Sequence, residues 1–238
     1  MSIRMLPIKG LQKTSLIDFP PYTTSVVFIG GCNFRCKYCH NYDLVLNYKD
    51  MPTISENQVI EFLKSKKGWV DAVTITGGEP TLYGELIDFV REIKKLGLKV
   101  KLDTNGTNSE LLWDMLEEKL LDYIAMDFKA PFDRYENITV FPVNIEELKK
   151  SVSLIKNSGV DYEFRATIVP RLHRHEDFRE IGQFLTGAKR FVLQPFRGSH
   201  GVLDKNFEEE TGFSREEVGE IKEILAPYFK EVVVRDES

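Results

Sequence analysis

The sequence predicts an α/β chain whose parallel strands alternate with helices and curl into a partial, TIM-like (β/α)6 barrel carrying a short N-terminal extension. Three observations lead there. Six short runs rich in apolar and β-branched residues recur along the 238 residues. Amphipathic segments with helix start and stop signals lie between them, and no Pro/Gly/Ser-rich linker divides the chain. Strands joined by helical crossovers run parallel, and the right-handed hand of those crossovers bends the sheet toward a barrel. The expectation is one domain spanning residues 1–238.

Residues 1–20 read as an extension with a hairpin. The predicted strands are Ser25–Ile29, Ala72–Thr76, Leu98–Asp103, Tyr123–Asp127, Glu163–Val169 and Phe191–Gln194. Runs such as Val26-Val27-Phe28-Ile29 are nearly continuous in apolar character, the pattern of strands covered on both faces. Ser55 with Gln58 three residues on is a capping-box pattern, opening a helix with Val59, Ile60, Phe62 and Leu63 on its apolar face. The next helix carries Leu86, Phe89, Val90, Ile93 and Leu96 and stops at Gly97. Helices are also predicted at Ser109–Glu118, Glu176–Leu185 and Ser214–Pro227. Another opens at Asn144, with Glu147 placed to bond back to it, and closes at Gly159. Val232–Val234 adds a last strand. Residues 195–213, with Gly198, Gly201 and Gly212, are too long for a plain connector and read as a partner-docking loop.

The composition is that of an ordinary soluble domain, 42% hydrophobic and 29% charged. No apolar run reaches 18 residues, so no membrane span is expected. Met1–Pro7 lacks the apolar stretch of a signal peptide, which points to the cytoplasm. A net charge of −5 without a basic block argues against nucleic acid as the main partner. The cysteines say most. There are three, and Cys32, Cys36 and Cys39 fall in one window. A disulfide scaffold spreads an even number along the chain; thiols packed together read as ligands.

That window is Gly30-Gly31-Cys32-Asn33-Phe34-Arg35-Cys36-Lys37-Tyr38-Cys39-His40, directly after the first predicted strand. Soft thiolates select iron–sulfur clusters, zinc or Cu(I). Three thiols would hold three irons of a cubane cluster and leave the fourth open to a non-protein ligand. Zinc held by the three thiols and His40 is a second reading, although adjacent Cys39 and His40 would both have to turn to one ion. Covalent haem is a third, because Cys36–His40 fits C-x-x-C-H, but Cys32 then has no role.

C-x3-C-x2-C with an aromatic residue, Tyr38, before the last cysteine resembles the radical S-adenosylmethionine (SAM) superfamily. Thr76-Gly77-Gly78-Glu79-Pro80 resembles its Gly-Gly-Glu-Pro motif. Asp103-Thr104-Asn105-Gly106 and Met126-Asp127-Phe128-Lys129 resemble motifs of the branch that activates glycyl-radical enzymes. Gly10-Leu11-Gln12-Lys13-Thr14-Ser15-Leu16-Ile17-Asp18-Phe19-Pro20 is similar to the opening of short activating proteins of anaerobic ribonucleoside-triphosphate reductase. The cysteines, Gly77–Glu79, Asp103, Asp127–Lys129, Arg165 and Gln194 all sit at the C-terminal ends of predicted strands, the face on which parallel barrels build their sites.

The resemblance implies a [4Fe-4S] cluster on Cys32, Cys36 and Cys39, with SAM chelating the open iron. It implies reductive cleavage to methionine and a 5′-deoxyadenosyl radical, which takes a hydrogen atom from a glycine of a partner protein. Gly77 and Gly78 would let backbone approach the methionine end. Glu79 would bind the amino group or tie down its loop, and Tyr38 would face the adenine. Asp103 would accept from the ribose or neutralise the sulfonium, or join Thr104 and Asp127 in a small cation site. Lys129 and Arg165 would face the carboxylate. Arg197 is a further candidate near the adenosyl group, where some members have His. The implied partners are an anaerobic ribonucleotide reductase and an electron donor such as flavodoxin or ferredoxin. His173, His175 and His200 carry no motif and read as surface-loop residues.

Overall fold

A computed structural model describes residues 5–198 and 201–235. In chain order the elements are β1 (Ile8–Ser15), β2 (Thr24–Ile29), α1 (Tyr42–Leu46), α2 (Glu56–Ser65), β3 (Ala72–Gly77), α3 (Leu86–Lys95), β4 (Lys99–Thr104), α4 (Ser109–Glu117), β5 (Tyr123–Asp127), α5 (Tyr135–Thr139), α6 (Ile145–Asn157), β6 (Asp161–Ile168), α7 (His175–Leu185), β7 (Ala188–Pro195), α8 (Arg215–Leu225) and β8 (Phe229–Val234). They build one eight-stranded sheet in the order of the chain. β2 through β8 run parallel to one another. Among the described residues β1 and β8 do not pair with each other, so the barrel is open.

The predicted strands are all present: β5 keeps its bounds, β4 is shifted by one residue, and the others are longer than predicted. The extension is more than an appendage. β1 pairs antiparallel with β2, Gly10 opposite Phe28 and Gln12 opposite Val26. The loop between them turns back beneath the sheet: Ser15 Oγ donates to the Asp18 carboxylate, and buried Phe19 packs edge-on to Tyr22 and against Tyr123 at the start of β5. This loop closes the N-terminal floor of the barrel.

The expectation of nearly continuous apolar strands is corrected, although Thr74, Lys101 and Glu163 on the second face are buried too. One face carries Val27, Ile29, Val73, Ile75, Val100, Leu102, Ile124, Met126, Phe164 and Ile168, all without exposed surface. They form one core with the inner faces of the helices, including Leu86, Phe89, Val90 and Ile93 of α3. The alternate residues, on the concave face, are Thr74, Thr76, Lys101, Asp103, Asp127, Glu163, Arg165 and Thr167. Side chains alternate along a strand, so an open barrel can present an apolar wall to its helices and a polar one to its interior.

Most helix signals act as read. Ser55 and Gln58 make both bonds of the capping box, α3 leaves through Gly97 at φ +79°, and Ser214 opens α8 with Glu217 as its reciprocal partner. At Asn144 the side chain instead accepts from the Glu146 N–H. Glu147 turns away to take Ser109 Oγ at 2.6 Å and so joins α6 to the start of α4. α8 ends at Leu225, before Pro227. The short helices α1 and α5 escape periodicity because five residues do not complete two turns.

Ser55→Ala removes the bond from Gln58 N–H to Ser55 Oγ while leaving the Ser55 N–H bond to Gln58 Oε1, and is expected to cost about 1 kcal/mol. Urea unfolding of the purified chain, with unchanged far-ultraviolet dichroism, checks this.

Candidate active site at the mouth of the barrel

The ends of β2 to β6 open into one cavity. Its lining takes Cys32, Cys36, Tyr38, Cys39 and His40 from the loop after β2, and Thr76–Glu79 from β3. Asp103, Thr104 and Asn105 come from β4, Asp127 and Lys129 from β5, and Arg165 and Thr167 from β6. The structure thus brings together every predicted site residue except Arg197.

The cysteine loop is anchored along its length. Gly31 enters at φ +91°, its N–H bonded to Leu44 O of α1 at 2.7 Å. The Arg35 guanidinium donates to the carbonyls of Cys32 and Phe34, and Arg35 N–H donates to Thr139 O of α5. From the far side, Leu203 N–H donates to Cys39 O and Asp204 N–H to Lys37 O. The described part of the 195–213 loop is therefore strapped to the cysteines. All three thiols are free. Burial pushes Cys32 up to about 12 and Cys36 to about 11, and raises Cys39, so thiolates here require a bound cation. Among the described residues no three His, Cys, Asp or Glu side chains are grouped around a single-ion position.

Gly77 and Gly78 have a different use from the one the sequence suggests. A Cβ on Gly78 would stand 1.9 Å from Gly31 O, and one on Gly77, at φ +120°, would stand 2.4 Å from Ile29 O. What the missing side chains admit is the backbone of the cysteine loop. Gly78 N–H donates to Ile29 O and Glu79 N–H to Gly31 O, both at 2.8 Å. Of the two roles expected for Glu79, tying down the loop is the one its contacts display. Fully buried, its Oε1 accepts from Thr81 N, Thr81 Oγ1 and Thr104 Oγ1, and its Oε2 accepts from Asn105 N at 2.6 Å. Burial nevertheless raises its pKa.

The concave wall holds a line of charge. Lys129 Nζ lies 3.1 Å from Asp127 Oδ2, and Arg165 Nε bonds Asp127 Oδ1. Arg165 Nη1 reaches Asp103 Oδ2 at 3.2 Å, and Lys101 Nζ lies 3.3 Å from Asp103 Oδ1. Lys101 also donates to Asp18 O in the floor loop at 2.6 Å. Burial alone would raise both aspartates; Arg165 with Lys129 brings Asp127 down to about 2, and Arg165 with Lys101 holds Asp103 below its ordinary value. Three cations face two carboxylates, leaving one positive charge over. Two buried polar atoms of the cavity lining have no hydrogen-bond partner among the described residues: Tyr38 Oη, and Asp103 Oδ1, which faces Lys101 in the ion pair only. Deeper, Glu163 takes both ends of the Arg235 guanidinium and the Tyr123 hydroxyl.

Other placements differ from the reading. Arg197 is exposed and lines a separate depression with Phe213, Arg215 and Val218; Gln194 does not line the cavity. The chain neighbour Phe196 turns inward, stacked on His40 at 5.4 Å and edge-on to Tyr38 at 6.2 Å. His173 is a core residue, 3% exposed, and corrects the surface-loop expectation. His175 opens α7 beside Glu220, and His200 lies outside the described residues. Lys101, Asn105 and Asn33, whose amide oxygen accepts from Asn105 Nδ2, were missed. Lys101 had a signal in the strict alternation Lys99-Val100-Lys101-Leu102-Asp103.

A soft three-thiol loop at the mouth of an open parallel barrel, above a buried charged wall, is the site of an iron–sulfur enzyme that binds a small charged cofactor. Residues 26–185 match the sequence profile of the Radical SAM superfamily; the chain belongs to it and, within it, to the family of glycyl-radical enzyme activases. A Methanocaldococcus jannaschii protein named as a glycyl-radical enzyme activating enzyme is 34% identical over 96% of this chain and 95% of its own length. The pyruvate formate-lyase-activating enzyme of Clostridium pasteurianum is 31% identical over 76% of this chain and 77% of its own. The fold is shared with Streptococcus suis SuiB, solved bound to S-adenosylmethionine, at TM-score 0.66 and 16% identity over 87% of this chain; the match spans 48% of the SuiB chain, about half its length. Radical SAM enzymes use a [4Fe-4S] cluster and SAM, so this chain is an enzyme with those cofactors. No described helix is long and apolar enough to cross a membrane.

Two outcomes follow from the loop packing. Gly78→Ala must displace the Gly31 carbonyl, so anaerobic reconstitution is expected to yield less iron per chain than wild type, whatever happens to SAM affinity. Full iron incorporation would refute the packing role. Glu79→Gln replaces an acceptor with a donor among four donors and is expected to destabilise the apo-protein by about 1–3 kcal/mol, read by urea unfolding.

Proposed function

We propose that this chain generates the glycyl radical of an anaerobic ribonucleoside-triphosphate reductase. The observation that carries the chemistry is the convergence of three thiols and a charged wall at one barrel mouth. The narrower choice of partner is supported by the Gly10–Pro20 segment, which resembles the opening of short activating proteins of that reductase.

The residues present fit the cofactors. Three thiols in one cavity are the donor set for three irons of a cubane cluster. Tyr38 Oη is a buried polar atom without a hydrogen-bond partner, and Asp103 Oδ1 is held only by the Lys101 ion pair, so both have room for a polar ligand. When bound, the cluster and SAM supply reductive cleavage of the sulfonium and hydrogen-atom abstraction from a glycine. The chain's own part is to hold and exclude. Cys32, Cys36 and Cys39 hold the irons. Lys129, with Arg165 behind it, offers the surplus positive charge to the SAM carboxylate. Asp103 offers Oδ1, which makes no hydrogen bond beyond its ion pair with Lys101, to a ribose hydroxyl or to the sulfonium side. Tyr38, backed by Phe196 outside the cavity, forms its aromatic side toward the adenine. Gly77, Gly78, Glu79 and Thr104 keep the two loops in register. No side chain is placed as a general acid or base, and the chemistry requires none; the wall fixes geometry and keeps out water.

The single domain would work in the cytoplasm with a low-potential donor such as flavodoxin or ferredoxin. Residues 195–213 would receive the partner's glycine-bearing loop. A second reading, activation of pyruvate formate-lyase, is favoured by the Clostridium pasteurianum relative.

Two measurements test this. Cys32→Ala, Cys36→Ala and Cys39→Ala are each expected to lose the cluster's iron and all formation of 5′-deoxyadenosine from SAM; stoichiometric zinc without iron uptake in the parent protein would sink the cluster assignment. Mixing the reduced protein and SAM with each candidate partner should give a glycyl paramagnetic resonance signal with the reductase and none with pyruvate formate-lyase. The opposite pattern would replace the first reading with the second.

A further inference from the structure

His173 is a buried histidine that neither the motifs nor the proposed chemistry uses. Its surroundings are specific. The β5 strand ends at Asp127, and Phe128 N–H makes one more bond across to Arg165 O at 2.8 Å. Lys129 lies past that ladder, yet it is only 9% exposed. Its peptide N–H and C=O are thus backbone groups without a strand partner, which a buried site must satisfy by other means. Two side chains do so. The Lys129 N–H donates to Tyr135 Oη at 3.2 Å, and the Lys129 carbonyl lies 2.8 Å from His173 Nε2.

The tautomer follows from the Lys129 carbonyl. Lys129 O can only accept, so Nε2 carries the proton; in the neutral ring Nδ1, 3.2 Å from Val169 O, then accepts from Val169 N–H at 3.0 Å. Burial lowers the imidazole's pKa and favours this neutral form. The ring stacks on Phe178 at 5.7 Å and 20°. Val169 O in turn accepts from the N–H groups of Leu172 and His173, so the turn that presents the ring is itself closed.

We propose that His173 is a positioning residue. With Tyr135 it clamps the Lys129 peptide from both sides, and the clamp aims the ammonium, 3.1 Å from Asp127, at the carboxylate of SAM. The proposal rests on Lys129 being the carboxylate contact. It goes further in assigning cofactor affinity to a histidine that does not line the cavity. A lysine has four rotatable side-chain bonds, so fixing its Cα and backbone direction is what narrows the space its ammonium searches.

The test uses the full chain, reconstituted anaerobically, with equilibrium dialysis of labelled SAM and steady-state cleavage driven by dithionite. His173→Phe keeps ring volume and stacking but offers no hydrogen bond. It should weaken SAM binding about tenfold, raise the KM to match, and leave iron content and kcat at saturating SAM within about twofold of wild type. His173→Gln restores a donor near the Nε2 position and should recover most of the affinity. Tyr135→Phe, which removes the other jaw, should weaken binding about threefold; it also decides the matter if His173→Phe fails to fold. Unchanged affinity in both aromatic variants, a Gln variant no better than Phe, or a loss confined to kcat or iron content would overturn the clamp. Lys129→Met separates the two readings. Unchanged affinity there would overturn the Lys129 contact itself, whereas a weakened Lys129→Met beside an unaffected His173→Phe would overturn the clamp alone.

Discussion

Arg165 stands between two carboxylates in the barrel interior, and much of the molecule is arranged around that fact. Ionised groups are tolerated in such a place only when paired and hydrogen-bonded. Asp127 and Asp103 take the guanidinium from either side, and Lys129 and Lys101 close the two ends of the line. Its members come from β4, β5 and β6, so the relative rotation of three strands is fixed by contacts that are costly to break one at a time. The lower end is secured by the Asp18 carbonyl in the floor loop. The upper end is the cavity wall. An N-terminal segment and a cofactor site at opposite ends of the barrel are thereby joined by one chain of charge.

Glu79 does for the rim what Arg165 does for the wall. Its four donors come from the turn after β3 and from the end of β4, while Gly78 and Glu79 bond the other way, to the backbone leading into Cys32. The metal-bearing loop and the loops proposed to carry SAM are consequently one rigid body. A carboxylate this deep would be expensive alone; with four donors it is a post.

The path from sequence to this arrangement was clear in some places and closed in others. Strand positions were legible because β-branched runs and helix caps such as Ser55 and Gly97 are local signals. The residues at strand ends could be placed on one face because parallel topology forces it. The polar wall was legible in principle: Lys99 to Asp103 and Asp161 to Ile168 alternate strictly, yet the apolar run at Val26–Ile29 set the expectation for all strands. The use of Gly77 and Gly78 could not be read, because a missing side chain does not say what occupies its space. His173 likewise lacks a local signal; what makes it a core residue is the orphaned Lys129 carbonyl 44 positions earlier. Arg197 was misjudged for a related reason, since Phe196 and Arg197 point to different sides of the chain and only packing decides which turns inward.

The order of strands in the sheet is the order of the chain, and the two outer strands are not joined. For a polypeptide leaving the ribosome this has a kinetic meaning. Every strand from β3 onward finds its partner already made, one βα unit behind it, so the sheet can lengthen as synthesis proceeds. A closed barrel must hold one edge of its first strand open until its last strand arrives. Here β1 is satisfied at once by β2, and the growing edge is always the newest strand.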